Sequence, residues 1–317
     1  MKSLRLECYP AEIFIFGLTG ILLLANLWLY FQLGPEIRWS DYATIMGAGM
    51  MFFAGGLFYR QSGRSPRIGA ALIGTSILIV FSMAASTFNY LLLPVKNPMI
   101  DAWLVSVDSF FGFHWPDWIA FAAENPTLSL ILRWSYLSTL PQLGLLVVVL
   151  GLTGRLFDLH VLLTGIAITT VIGIIFWLIF PSMGTTVVYQ IPPDVQRAAH
   201  MLVSMDYGEK LRALATVGPK ELNPTDALGL IAFPSFHMVL ASFCVYAARP
   251  LRWVFPVFVV INILVIPGTI IHGGHHMIDL PAGIALFALG TWLAHTLVAQ
   301  RWPLEGGRRV LASEAIA

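Results

Sequence analysis

Histidine and aspartate cost free energy beside hydrocarbon, so in an apolar chain they need a task or a partner. The segment IHGGHHMIDL, residues 271–280, carries three histidines and one aspartate. His275 and Asp279 are four residues apart and share one face of a helical turn. A carboxylate so placed accepts from one imidazole nitrogen and fixes the tautomer of the other, which prepares a base or a nucleophile. A second stretch, LIAFPSFHMVL at residues 230–240, offers Pro234 for the first turn of a helix, Ser235 beside the unpaired amides of its N-terminus, and His237 about one turn in. Two histidines, a carboxylate and a helix N-terminus at one depth form a set suited to handling phosphate.

The elements that position these groups follow from composition. Of the 317 residues, 57% are hydrophobic and 11% charged, which indicates an all-α polytopic membrane protein. Net charge near zero provides no basic face for nucleic acid. Cys8 and Cys244 form no CxxC pair, so neither a disulfide framework nor a thiolate metal site is indicated. Lys2 and Arg5 precede an apolar run from about 13 to 30 with no clear cleavage site after it, and the run reads as a retained first span. Runs of membrane-spanning length predict about eight helices, near 11–32, 42–59, 68–93, 128–152, 159–180, 230–248, 253–271 and 278–299. Eight spans place eleven of the 18 lysines and arginines on one side, among them Arg60, Arg64, Arg67, Arg155, Arg249 and Arg252. That side is expected to be cytoplasmic, with both termini, and the His/Asp cluster to face outward from an inner membrane.

Two outer loops exceed what a connection requires. Residues 94–127, with Trp103, Trp115 and Trp118, read as an interfacial amphipathic helix plus a turn. Residues 181–229 are polar and mixed in charge, the composition of a lid, a binding loop or a solvated connector. The chain divides into a two-span addition at 1–66, a six-span catalytic core at 67–299 and a cytoplasmic tail at 300–317.

FPSFH, whose His237 lies 38 residues before His275 of GGHHMID, and which is preceded by YLSTLPQ, resembles with GGHHMID the second and third signature motifs of the type 2 phosphatidic acid phosphatase/haloperoxidase superfamily. The likeness is nearest to its inositol phosphorylceramide synthase-like bacterial branch and covers about residues 67–299. The resemblance implies a lipid phosphatase or phospho-headgroup transferase without metal or cofactor. In it His275 attacks phosphorus and becomes a phosphohistidine, Asp279 orients His275, and His237 protonates the leaving oxygen and then activates the acceptor. Ser235, Gly274 and nearby amides would hold phosphoryl oxygens. Its partners would be a lipid phosphate in the bilayer and an acceptor, either water or an alcohol such as inositol.

Departures from the family pattern shift the question to cations. Phe236 stands where the second motif has glycine, and Gly268 and Thr269 stand where the third has Ser-Arg. The Arg249–Pro250 pair falls on the cytoplasmic side and cannot serve as the first motif. The candidates to hold the phosphate are Arg212 first, then Arg133, Lys210 and Arg197. His160 and His295 read as structural, His114 and His200 as surface residues, and His272 and His276 as flanking groups. Two rival readings remain: a metal site built from His272, His275, His276 and Asp279, and a transporter with an intramembrane proton or ion path.

Overall fold

The computed structural model describes residues 8–301. The expected positions Lys2, Arg5, Arg308 and Arg309 and nearly all of the C-terminal tail lie outside them.

α1 (Pro10–Leu33) and α2 (Trp39–Gln61) form a hairpin packed on α3 (Pro66–Leu91). Ser65 caps α3, its hydroxyl accepting from the Ile68 amide, and Pro66 occupies the first helical position. The α2–α3 contact is close because Gly56 lies against Ile73 and the backbone of Gly69. The next segment, expected as one helix plus a turn, is two helices, α4 (Asp101–Phe110) and α5 (Trp115–Glu124). Trp115 is not an interfacial anchor. Its ring is buried and its indole N–H donates to the Ile270 carbonyl at 2.9 Å, a satisfied burial that fixes α5 in the fold. Trp103 and Trp118 do remain exposed.

The expected span at 128–152 is broken into α6 (Pro126–Leu137) and α7 (Thr139–Leu152), bent by 40°. Pro141 accounts for the break: it donates no amide, and its ring crowds the carbonyl of Leu137, where α6 stops. α8 (Leu156–Ile179) returns through the bundle centre. The long segment after it is structured, with a 3-10 turn (Thr185–Val187), α9 (Pro193–Ala198) and α10 (Met205–Val217). A two-residue strand β2 (Glu221–Leu222) pairs in parallel with β1 (Glu36–Ile37) and so ties this segment to the α1–α2 turn. α11 (Phe236–Ala248), α12 (Val254–Gly273) and α13 (Asp279–Arg301) complete the chain.

Among the described residues six helices are long and apolar enough to cross a membrane, and the bent α6–α7 pair makes a seventh if taken as one span. The all-α polytopic class holds. The region expected as the sixth span is helical over only 13 residues, because Ser235, extended and capping, sets the start of α11 at Phe236, and Pro234 lies before the helix rather than in its first turn. At about 1.5 Å per residue it spans about 20 Å, short of a hydrocarbon core of about 30 Å. The main core runs between α3, α7, α8 and α11 through Ile73, Leu146, Leu162, Val239 and Phe243. A second cluster joins α5, α6 and α12 beside the turn after α12, and this turn carries the expected chemistry.

Candidate active site

α11 begins where α12 ends, so the hairpin between them brings residues 235–237 and 275–279 to one end of the bundle. Three local features set the geometry. Ser235 caps α11, its hydroxyl accepting from the Met238 amide. Gly274 ends α12 in the left-handed conformation (φ +64°), which glycine adopts without a side-chain penalty, and the chain then turns into α13. Gly283 lets α13 lie against the start of α11: a Cβ there would stand 2.4 Å from the Ser235 carbonyl oxygen.

His275 and Asp279 are buried and joined, His275 Nδ1 to Asp279 Oδ2 at 3.0 Å. The same carboxylate oxygen accepts the His276 amide at 2.9 Å. Nε2 of His275, the nitrogen turned away from Asp279, lies 3.4 Å from Ser235 Oγ. The Ser235 amide donates to the Asp279 carbonyl at 3.1 Å, locking the two segments together. Burial, with the neighbouring His276 charge added, pulls His275 down to about 3, partly opposed by the Ala232 carbonyl. A proton on Nδ1 shared with Asp279 is the tautomer that leaves the lone pair on Nε2.

His237 stacks on Tyr136 of α6, ring centroids 4.0 Å apart, and its Nδ1 lies 3.2 Å from the tyrosine hydroxyl. The edge of Tyr136 also comes within 3.1 Å of where a Cβ on Gly273 would be, and that point is 2.8 Å from the His275 ring. Tyr136 thus stacks on His237 and flanks Gly273 on the same side as the His275 ring. Its sequence gave one signal, its place in the YLSTLPQ stretch, but no spacing that ties it to His237.

The structure brings together His237, His275, Asp279, Ser235 and Gly274. Among the described residues none of the four cations makes a hydrogen bond or ion pair to this group. Arg133 on α6 donates to the His200 carbonyl at 3.1 Å and, with Arg197, Gln196 and Asp206, lines a cavity of about 400 Å³. It stands one helical turn from Tyr136 on the same helix. Arg212 donates to the Val187 carbonyl and lines a separate cavity of about 350 Å³ with Thr186, Gln190 and Glu209. Lys210 is exposed on α10. Arg249 folds over Tyr246 at the far end of α11. Phe236, in place of the motif glycine, packs on the main core.

The remaining histidines sort by partner. His272 Nε2 meets the Ser129 carbonyl at 2.9 Å, whereas His276 Nδ1 meets Asp108 at 2.9 Å. Among the described residues no three His, Cys, Asp or Glu groups converge as metal ligands. His160 packs with Glu12 and His295 with Tyr246, as structural residues do. His114 is exposed and paired with Asp117, and His200 is half-buried. Sequence reasoning missed Asp101 and Asp108, both deeply buried beside the site on α4. The alternation of VSVDSFF reads as an amphipathic surface, and only the fold turns that face inward.

A buried histidine held by a carboxylate one turn away, with a serine-capped helix against its free nitrogen and a second histidine one aromatic ring distant, is equipped for phosphoryl chemistry without a metal ligand set. Neither the curated proteins nor the solved structures held a match to the chain. The family description PAP2 superfamily matches residues 102–293, which is more than half of the sequence and contains every element of this site. The chain therefore belongs to the PAP2 superfamily of membrane phosphatases and phosphotransferases.

Proposed function

We propose that this protein transfers the phosphoryl or phospho-headgroup of a lipid through a phosphohistidine on His275. The observation that carries the reading is the buried His275–Asp279 pair with Nε2 directed at Ser235. Nε2 attacks phosphorus, the P–N bond forms and the P–O bond to the leaving group breaks. His237 protonates that leaving oxygen; Tyr136 holds its Nδ1 and leaves Nε2 for the transfer. In the second step the acceptor gives its proton to His237 and displaces His275 from phosphorus. The first-turn amides of α11 at Phe236 and His237 supply donors for phosphoryl oxygens. Arg133, one turn above Tyr136 and lining the larger cavity, is the cation best placed to meet phosphate charge; Arg212 and Lys210 face the second cavity and the surface.

The acceptor separates two forms of this activity. With water the protein is a lipid phosphatase. With an alcohol such as inositol it is a synthase of the inositol phosphorylceramide synthase type, a branch that FPSFH and GGHHMID support. The excess of arginine in the turns away from the site, at Arg60, Arg64, Arg67, Arg155 and Arg252, supports a site facing outward from an inner membrane with both termini inside. In this reading the two N-terminal helices are an addition to a catalytic unit that begins near residue 67. Purified protein incubated with phosphatidic acid, polyprenyl diphosphate, or phosphatidylinositol plus ceramide is expected to yield orthophosphate or a new headgroup-bearing lipid. No product from any member of the panel, or full turnover by His275→Ala, would overturn the proposal.

A further inference from the structure

Of the buried ionisable groups that the mechanism above leaves unused, Asp101, Asp108 and His276 surround the nucleophile's turn. α4 directs Asp101 and Asp108 into the bundle at 3% and 2% exposure. Asp101 accepts from the Ser182 hydroxyl at 2.9 Å and from the amides of Met183 and Gly184 at 3.0 and 2.8 Å. Asp108 accepts from His276 Nδ1 at 2.9 Å and from the amides of Met277 and Ile278, each at 3.3 Å. The 182–185 turn then holds the other side of His275, because the Thr185 amide donates to the Gly274 carbonyl at 2.8 Å. One short helix therefore anchors the chain on both sides of His275.

His276 lies between the two aspartates and is fully buried. Its Nε2 stands 3.9 Å from Asp101 Oδ1 and makes no hydrogen bond. Asp279 faces it from α13, and His275 adjoins it on its own turn. Burial pushes the Asp101 carboxyl above the usual carboxylate range, and a cation among the three carboxyls relieves that cost. Among the described residues their ion-pair partners are His275 and His276. His275 must be neutral to attack, and His276 is the ring with a carboxylate near each nitrogen, Asp108 at 2.9 Å and Asp101 at 3.9 Å.

We propose that Asp101, His276 and Asp108 form a positioning unit for the nucleophile, in which the aspartates of α4 hold a protonated His276 between them and thereby fix Asp279 and His275 for attack. The inference rests on the phosphohistidine reading. Burial works against the His276 charge, but the Asp108 hydrogen bond and the fields of Asp279, Asp108 and Asp101 more than offset it and hold the ring above the ordinary imidazole value. None of the three touches the reacting phosphorus. Their effect passes through Asp279 Oδ2, which takes both the His276 amide and His275 Nδ1.

The test uses the full chain in detergent with whichever panel lipid the wild type turns over. Asp108→Asn and His276→Gln are expected to lower kcat about ten- to a hundredfold with KM within about twofold, and Asp108→Glu to recover part of the loss. A folded Asp108→Asn or His276→Gln protein with kcat near wild type would overturn the proposal. If those variants do not fold, nitrogen-15 histidine spectra of the wild type decide without them. Both ring nitrogens of His276 protonated at pH 7 support the unit, and a neutral ring overturns it. Turnover by His275→Ala would instead defeat the phosphohistidine reading, so the two failures are distinguishable.

Discussion

At the residue scale the site turns on which imidazole is charged. His275 stays neutral in the folded protein down to about 3 because burial disfavours its cation, whereas an unfolded histidine takes a proton near pH 6.5. Below about pH 6.5 the unfolded state binds a proton that the folded state refuses, so this group's effect on stability worsens as pH falls from about 6.5 towards 3. His275→Asn should remove that slope, with its stability difference from wild type changing only on the acid side of about 6.5 in denaturation curves. His276 has the opposite sign. Its raised value makes its contribution complete below about pH 6.5 and lost as pH rises through the folded-state value. For catalysis, His237→Ala and His275→Ala should each reduce turnover at least a thousandfold, roughly the scale for an essential group acting as a unit with its partner, in protein that still elutes as a single folded species. Retained activity in either would remove that histidine from the mechanism.

At the element scale, close backbone approach does as much as side-chain chemistry. The α11 N-terminus and α13 meet at Gly283, and the Ser235 amide and Asp279 carbonyl pair across that contact. Gly283→Ala should force the two helices apart and open the distance between Ser235 and His275. The expected outcome is a loss of kcat of about tenfold or more, measured beside a modest drop in melting temperature. Activity equal to wild type would mean the contact is slack. The break at Pro141 has a comparable role: it ends α6 at Leu137, just beyond the residue that stacks on His237.

At the scale of the whole molecule, the two N-terminal helices are tied to the bundle by an ion cluster at the end opposite the site. Glu12 of α1 takes a bidentate pair from Arg60 of α2 at 2.8 and 2.9 Å, and His160 of α8 lies 3.5 Å from the same carboxylate. Three helices share this buried cluster. Glu12→Ala leaves a buried guanidinium without that counter-charge and should cost about 3–5 kcal/mol, read as a lower denaturation midpoint in detergent. Since the cluster lies far from His275, kcat of the folded fraction should change little. The β1–β2 pair and the Arg38–Glu221 bridge at 2.7 Å tie the other end of the hairpin to the segment after α8. That bridge is exposed and adds little stability of its own.

The sequence by itself determined whatever depends on local spacing and connection. Apolar runs dictate helices, a four-residue step puts His275 and Asp279 on one turn, and one helical hairpin returns His275 to the depth of Ser235 and His237. These relations follow from the pitch of the helix and hold before any packing is known. It did not determine relations between groups with no repeat to connect them. Asp108 lies 168 residues from His276 and Tyr136 lies 101 from His237. The inward face of an amphipathic α4 likewise came from tertiary contacts, whereas the break at residue 138 and the short α11 trace to Pro141 and the Ser235 cap. Burial gives those contacts their strength and their electrical consequences, and burial exists only once distant segments have closed over one another.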